Sequence, residues 1–488
     1  MKILLFHGYM LRGTGSNIYT ANLARALAKL GHEVHLLCQE REVEIEGVEI
    51  HNPYIHGLLP VYVKDPYEGF EVKAFPELSD EELDRYIDAN VACVRQVAER
   101  VGGFDAALAG HLVMGPAIVA RAGVGDFAAK VHGSALEYTV KPHPRFLPYA
   151  EEGMRAARCV LVGSRHTAES LWAALPEVPG LQKKTRLGPP GVDTERFRPR
   201  VLSRGGAPGV ALGFSPEESA AVRDRGQGEK QDAAPRRVPH PTPPAEGRLV
   251  VFVGKLIVSK GVDLLLAAWP LVWTEHPDAR LEIAGYGEYE GGLRRLLAAL
   301  DAGDLEDARE VARLGWGLEG GSAEPLPILS AFLADPPDGY VEAAQGMARS
   351  VELIGRLEHD EVAELLPGAE ALVMPSTFPE AFGMVAAEAA ACGALPVSAG
   401  HSGMREVSQQ LAAALPAEAA ELVSFAVEEG AVEAIAARLN GWLALSGEER
   451  GAVREALVAT ARRLWSWEGV ARGAIAAARG ELDRLPDA

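Results

Sequence analysis

The 488-residue sequence has little cysteine and no long apolar run. Its four cysteines are scattered without a CxxC pair, and no histidines cluster at metal-ligand spacing, so neither disulfides nor a bound metal are expected. After Lys2 the first apolar run ends at His7-Gly8, which is too early for a signal peptide. No apolar stretch approaches the roughly 20 residues of a membrane span. These absences predict a cytoplasmic protein without an integral membrane segment.

Positive charge is also scarce, with 48 Lys and Arg against 68 Asp and Glu and a formal net charge of −20. An extended basic face for nucleic acid is therefore not expected. Any phosphate site has to be made locally, from a few cations, backbone amides and helix N-termini. The length exceeds one ordinary hydrophobic core, which predicts two domains.

The apolar pattern repeats as strand, glycine loop, helix and strand. MKILLFHG is typical of a buried strand, a helix follows over about 18–30, and EVHLLC begins a second strand. Such βαβ units predict an α/β fold with a parallel sheet in each half of the chain. The Pro-, Gly- and charge-rich stretch 200–247 is interpreted as a flexible linker or insertion. A second irregular stretch, about 304–346, suggests an inserted lid or oligomer contact, and a homo-oligomer is possible.

The most informative stretch is STFPEAFGMVAAEAAACG, Ser376 to Gly393. Glu380 lies just ahead of a predicted helix and Glu388 lies about two turns into it. Helix N-termini favour anions because their first amides are unpaired and their dipoles are aligned. Taken alone, the two glutamates favour a helix cap at Glu380 and a solvated surface charge at Glu388. The amides at this helix start belong to four residues: Phe382, Gly383, Met384 and Val385.

The two glutamates and the string that follows them resemble the E-x7-E signature of retaining GT-B glycosyltransferases, especially family 4. GKLIVSKGVDLLLAA resembles the phosphate segment of that family, LEIAGYGEYEGGLRRL resembles its AG-x-G segment, and PGVDTERFRP resembles its approach to the interdomain linker. VHGS resembles a segment of its N-terminal domain, and RRLWSWEGVA resembles its returning C-terminal helix. The resemblance implies two Rossmann-like domains facing a cleft: an acceptor-side domain, 1–199; a nucleotide-sugar domain, 248–464; and a helix crossing back, 465–488.

The resemblance also implies roles for individual residues. Glu380 would accept hydrogen bonds from hydroxyls of the donor sugar, and Glu388 from the ribose. Lys255 and Lys260 would bind the diphosphate, although Lys255 replaces the usual arginine and cannot offer its bidentate fork. His132 would touch the donor sugar from the opposite domain. The remaining donor contacts implied are Gly13, Gly15, Gly254, Arg356, Leu357, Phe382, Gly383, Met384 and Val385.

The implied reaction moves a sugar from a UDP-, GDP- or ADP-sugar to a small-molecule or glycan hydroxyl, with retention of configuration. The implied mechanism is front-face, with no metal and no cofactor beyond the donor. Two alternatives stay open from the sequence: a nucleotide-sugar epimerase of the same fold, and a non-catalytic nucleotide-sugar-binding or scaffold protein.

Overall fold

The computed structural model describes residues 1–12, 15–62, 67–200 and 247–488. Gly13 and nearly all of the predicted linker 200–247 lie outside these residues. The described strands are β1 (Lys2–Phe6), β2 (Glu33–Leu37), β3 (Val48–His51), β4 (Leu58–Val61), β5 (Glu71–Ala74), β6 (Ala106–Gly110), β7 (Ala128–Lys130), β8 (Cys159–Val162), β9 (Thr185–Leu187), β10 (Arg248–Val253), β11 (Ala279–Ala284), β12 (Val351–Gly355), β13 (Ala371–Met374), β14 (Leu395–Ala399) and β15 (Ser424–Phe425).

Helices alternate with these strands through most of the described chain. They are α1 (Gly15–Lys29), α2 (Asp80–Val101), α3 (Gly115–Ala122), α4 (Gly133–Ala135), α5 (Leu147–Ala156), α6 (Arg165–Ala174), α7 (Leu181–Lys184), α8 (Val262–Glu275), α9 (Glu290–Ala302), α10 (Leu305–Leu314), α11 (Pro327–Ala334), α12 (Tyr340–Ala344), α13 (His359–Leu365), α14 (Met384–Cys392), α15 (Ser402–Ala412), α16 (Ala417–Ala420), α17 (Ala431–Ala444), α18 (Gly447–Trp465) and α19 (Trp467–Ala478).

Two parallel sheets organise the molecule, one in each half. The N-terminal sheet has the order β3-β2-β1-β6-β7-β8-β9, and the C-terminal sheet has the order β12-β11-β10-β13-β14-β15. Strands β13 and β14 are buried along their whole length, as expected of strands covered by helices on both faces. The predicted pair of parallel-sheet, Rossmann-like domains is confirmed. In such sheets the loops at the carboxyl ends of the strands carry the binding site.

The chain crosses between the two halves twice, side by side. The amide of Val192 donates to the carbonyl of Trp465 over 2.6 Å, and α19 then packs on α1 and β6 of the N-terminal sheet. A Cβ on Gly191 would lie 2.5 Å from the Trp467 ring, so only glycine fits at this crossing. Ala471 and Ala477 of α19 are fully buried within the N-terminal core.

The expectation of an irregular stretch over 304–346 was wrong, while its suggested role as a lid or oligomer contact stays a prediction. The segment forms α10, α11 and α12, and its Pro and Gly residues stand at helix ends, such as Pro327 at the start of α11. Leu329 and Leu333 are fully buried in the C-terminal core, and the Tyr340 hydroxyl donates to the Ala267 carbonyl of α8 over 2.7 Å. These helices are an integral layer of the C-terminal domain. None of the helices described here is both long and apolar enough to cross a bilayer.

Candidate active site

Two helix N-termini face each other across the space between the sheets. Helix α14 begins after Gly383, whose φ of 105° favours glycine. Helix α1 begins at Gly15, and a Cβ there would lie 3.7 Å from Met384 Sδ. Each helix start leaves its first amides without intrahelical partners. The juxtaposition therefore directs two sets of amides and two positive dipole ends into one space, which suits an anion.

Glu380 and Lys260 lie beside these helix starts and form an ion pair. Their side chains keep about a quarter of their surface exposed, 25% and 26% respectively. The Ser376 hydroxyl also donates to Glu380 Oε1 over 2.9 Å. Among the hydrogen bonds of the described residues, those of the Glu380 side chain are made by Oε1. Oε2 is therefore left to accept a hydrogen bond from a ligand.

A closed ring of hydrogen bonds fixes the backbone and side chain of Glu380. Its amide donates to Ser402 Oγ over 2.9 Å, and Ser402 Oγ lies 3.1 Å from His401 Nδ1. His401 Nε2 lies 2.8 Å from the Ser376 carbonyl, which can only accept. Nε2 therefore carries a proton and donates it to this carbonyl, and the Ser376 hydroxyl closes the ring by donating to Glu380 Oε1.

Close backbone approaches hold the same loops in place. A Cβ on Gly261 would lie 2.1 Å from the Pro375 carbonyl oxygen, and the φ of Gly261 is +65°. A Cβ on Gly403 would lie 2.4 Å from the Ala381 carbonyl oxygen. Both glycines are therefore required by contact with backbone, and they bring the Lys260 and Glu380 loops together.

Glu388 lies within helix α14 and is almost completely buried, with 4% of its surface exposed. Its Oε1 is 2.8 Å from His359 Nε2 on α13. Burial would lower the pKa of His359, but the hydrogen bond and charge of Glu388 outweigh it, so the pKa is raised. The His359 ring also packs on Phe197, 4.9 Å between centroids. Glu388 is thus already partnered, and a ribose would have to share it with His359.

An exposed aromatic platform lies at the carboxyl ends of β11 and β12. The Arg356 guanidinium lies over the Tyr286 ring, 5.1 Å from its centroid, and is paired with Glu358 at 3.1 Å. Tyr286 keeps 41% of its surface exposed. Leu357 is half-buried beside Arg356. Planar groups of this kind can stack on a nucleotide base.

Lys255 and Gly254 follow β10 on the same edge of the C-terminal sheet. Lys255 is exposed. A Cβ on Gly285 would lie 2.0 Å from the Gly254 carbonyl oxygen. The two turns after β10 and β11 therefore pack backbone to backbone, and Lys255 projects from a fixed position. Of the amide-bearing residues predicted at α14, Phe382 is buried against Trp465, and Met384 and Val385 are half-buried.

The opposite wall is a histidine-rich cluster of the N-terminal domain. The His132 ring lies 4.9 Å from His111 and 5.3 Å from Tyr19, centroid to centroid. Burial, together with the charges of Lys130 and His7, lowers the pKa of His132 well below its usual value. Burial also lowers the pKa of Lys130 to about 7. His132 is therefore neutral at physiological pH and can exchange hydrogen bonds, but it does not supply a positive charge.

The Glu380 loop touches this wall directly. A Cβ on Gly133 would lie 3.3 Å from Ala381 Cβ, and a Cβ on Gly163 would lie 3.2 Å from the Ala381 carbonyl oxygen. Farther along, Glu406 of α15 accepts from the amides of Arg165 and His166, at 2.8 and 3.0 Å. A carboxylate of one domain thus caps a helix of the other, and the two domains are closed on each other here.

The sequence-predicted residues therefore fall into groups around one space. Glu380, Lys260 and the α14 start meet Gly15 and His132 across the cleft, while Arg356 and Lys255 lie on the C-terminal side. Their roles stay predictions. Sequence reasoning missed the ring through Ser376, His401 and Ser402, because these residues come from separate loops. The one available signal was polar residues following β13 and β14, at the sheet edge where sites form. It also missed Tyr286, which follows β11 in the same way.

Comparison with known proteins agrees with this architecture. The model of Glycosyltransferase Family 4 matches residues 13–196, and that of Glycosyl transferases group 1 matches 238–305 and 342–462. The chain belongs to the family 4-like glycosyltransferases of GT-B fold. Like other glycosyltransferases of this type, it uses nucleotide sugars as donors. The gap between the two parts matched by the second model, 306–341, covers most of α10 to α12.

Individual relatives of this glycosyltransferase are distant. The D-inositol 3-phosphate glycosyltransferase of Geodermatophilus obscurus is 26% identical over 95% of this chain and 84% of its own length. Among solved structures, Anabaena HepE in complex with UDP superposes with a TM-score of 0.57 at 14% identity, covering 97% of this chain and 98% of that one. Sucrose-phosphate synthase of Thermosynechococcus elongatus gives 0.54 at 18%, covering 99% and 98%. At these identities the two structures show the shared fold alone.

Proposed function

We propose that this glycosyltransferase moves a sugar from a nucleoside-diphosphate sugar to an acceptor hydroxyl with retention of anomeric configuration, and that it does so without a metal. The observation that carries the proposal is that the Glu380–Lys260 ion pair lies in the loops beside the α14 N-terminus, which the start of α1 approaches at Met384. A diphosphate lies against the two sets of amides in this proposal, with Lys255 and Lys260 beside it. The sugar then extends towards Glu380, and the nucleoside towards Glu388 and Tyr286.

The bond changes of a front-face reaction fit these groups. The bond from the anomeric carbon to the β-phosphate oxygen breaks, and that oxygen takes the proton of the acceptor hydroxyl. The acceptor oxygen bonds to the anomeric carbon on the face that the phosphate leaves. Lys260 and the helix amides stabilise the charge gained by the phosphate. His132 is neutral, so it does not repel the positive charge that develops on the sugar.

The acceptor is proposed to enter from the N-terminal domain. Both ring nitrogens of His111 are buried without a protein hydrogen-bond partner. Buried polar atoms of this kind usually have a partner, and in this proposal an acceptor hydroxyl becomes that partner once the rings packed around His111 move apart. Because the relative that covers 95% of the chain is named for D-inositol 3-phosphate, a polyol phosphate is the first acceptor to try.

The test combines ligand binding with product analysis. Thermal unfolding is measured against UDP-, GDP- and ADP-sugars for the wild type, Glu380→Ala and the exposed control Glu418→Ala. A donor at a hundred times its dissociation constant should stabilise the wild type by about 2.7 kcal/mol. In the wild type, the nucleotide sugar should stabilise more than the free nucleotide does. Glu380→Ala should lose this additional stabilisation by the sugar, and Glu418→Ala should keep it.

Turnover is then followed with the donor that binds. Proton NMR of the product reports its anomeric configuration, and a chelator in the assay reports any need for a metal. Glu380→Ala should lower kcat by about a hundredfold, since a preorganised contact to the reacting sugar is gone. An inverted product would refute retention, and loss of activity with chelator, restored by Mg²⁺, would refute metal independence of the transfer, because Mg²⁺ suits the diphosphate oxygens.

A further inference from the structure

A second cluster of polar side chains lies on the edge strands of the N-terminal sheet. In the parallel pair β2 and β3, His35 is opposite Glu49, and Leu37 is opposite His51. Because side chains alternate between faces along a strand, His35, Glu49 and His51 all point to the same face of the sheet. The His35 side chain is buried, with 1% exposed, and the Glu49 side chain is half exposed, with 51%.

The three side chains bring their ligand atoms to one point. His35 Nδ1 lies 3.2 Å from His51 Nε2 and 3.3 Å from Glu49 Oε2. All three atoms lie within 4.8 Å of one another. Two ligands of a tetrahedral zinc ion, with bonds of about 2.0–2.1 Å, are separated by about 3.3 Å. The separations between His35 and its two neighbours therefore have the spacing of a metal's coordination shell.

The surroundings prepare these atoms to act as ligands. His35 Nε2 lies 3.0 Å from Glu33 Oε1, so this nitrogen carries a proton and donates it to the carboxylate. In neutral His35, Nδ1 then has a lone pair directed at Glu49 and His51. Arg100 of α2 donates to Glu49 Oε1 over 2.6 Å, which leaves Oε2 turned towards His35. A histidine oriented by a carboxylate on its other nitrogen is the usual outer arrangement of a protein metal site.

We propose that His35, Glu49 and His51 form a binding site for a divalent transition-metal cation of the zinc type. Two imidazoles and one carboxylate suit Zn²⁺ or Co²⁺ better than Mg²⁺ or Ca²⁺, which prefer oxygen ligands. The exposed side of Glu49 leaves room for a water as the fourth ligand. The cation would join β2 to the edge strand β3, and it is separate from the donor site. The competing occupant is a second proton on His35, shared with Glu49 and His51.

Metal binding to tag-free, chelator-treated protein separates these two occupants. Co²⁺ is titrated first, because its visible absorption reports coordination by nitrogen and oxygen at four positions, and Zn²⁺ is then added to displace it. We expect one equivalent of Co²⁺ to bind and to be displaced by Zn²⁺. His51→Gln and Glu49→Gln should each weaken binding at least tenfold. His143→Gln, a histidine of the same domain outside the cluster, should leave binding unchanged.

Both ligand variants change side chains that are only partly buried, so they should fold, and circular dichroism checks this. If the wild type binds no Co²⁺ or Zn²⁺, the cluster is held by a proton and the proposal is wrong. The proposal is equally wrong if His51→Gln and Glu49→Gln bind as tightly as the wild type, because the metal is then bound elsewhere.

Discussion

Glu380 is held by residues of two loops that follow neighbouring strands of the C-terminal sheet. Ser376 comes after β13, and His401 and Ser402 come after β14. Ser402 has a φ of 49°, a conformation that costs a non-glycine residue about 1–2 kcal/mol. Its hydroxyl accepts from the Glu380 amide, a contact that glycine could not make. The strained residue Ser402 is thus the one whose side chain holds the backbone of Glu380, the candidate catalytic glutamate.

Replacing His401 should loosen this tether without removing a ligand contact. In His401→Phe both hydrogen bonds of the ring are lost, and Glu380 can move within its loop. Small misplacements of a catalytic group can cost about a hundredfold in rate. We expect a fall in kcat towards that value, with a smaller change in KM, and partial recovery in His401→Gln, measured by steady-state kinetics. An unchanged kcat in the phenylalanine variant would show that the ring does not position Glu380.

The His359–Glu388 pair should make stability depend on pH. Glu388 raises the pKa of His359 above its usual value of about 6.5, so the folded chain binds this proton more tightly than the unfolded chain does. The stabilisation is complete below that value and is lost as pH rises through the folded pKa. Glu388→Gln should therefore cost more unfolding free energy at pH 6 than at pH 8.5.

Urea unfolding of the wild type and Glu388→Gln at both pH values measures this difference, and NMR titration of the His359 ring should show a lower pKa in the variant. The signal of His143, assigned by its loss in His143→Gln, is the control and should titrate alike in the wild type and Glu388→Gln. Equal costs at the two pH values would mean that His359 is neutral throughout.

At the scale of elements, the α15 start is pressed against the Glu380 loop. A Cβ on Gly403 would lie 2.4 Å from the Ala381 carbonyl oxygen, whereas a Cβ on Gly291 in α9 would meet no atom within 4 Å. Gly403→Ala should therefore cost about 1–3 kcal/mol of unfolding free energy and lower kcat, because the loop must shift. Gly291→Ala should be neutral or gain up to about 1 kcal/mol. Denaturant unfolding and activity of the two variants decide between them.

The sequence predicts the strands and the α14 helix because their signals are local. Apolar runs such as ALVM and LPVSA identify buried strands, and Gly383 marks the start of a helix. The partners of Glu380 and Glu388 could not be predicted, since His401 and His359 reach them only through the packing of separate loops. The pairing of His35 with His51 depends in the same way on β2 lying beside β3. Short helices in 304–346 were missed because their Pro and Gly ends hide the apolar periodicity between them.

At the scale of the whole molecule, Glu406 links the two domains by accepting from the Arg165 and His166 amides. Hydrogen bonds to a charged group contribute a net stabilisation of about 1.5–3 kcal/mol each when they are buried, and exposure of the Arg165 amide reduces that value here. Glu406→Ala should therefore shift the free enzyme towards an open arrangement. We expect a larger radius of gyration in solution scattering and a raised KM for the donor, with Glu418→Ala unchanged. Identical scattering curves for Glu406→Ala and the wild type would contradict this.

The crossing helix α19 also determines when the N-terminal domain can be finished during synthesis. Ile3, Leu5 and Leu161 lie in the same core as Ala471 and Ala477 of α19, although the whole C-terminal domain is translated between them. On the ribosome the first domain emerges with this apolar face uncovered, and the face stays uncovered until α19 is made. The nascent chain therefore presents a binding surface for chaperones throughout the translation of the second domain. Ribosome stalling before α19 leaves an incomplete first domain that is prone to aggregation.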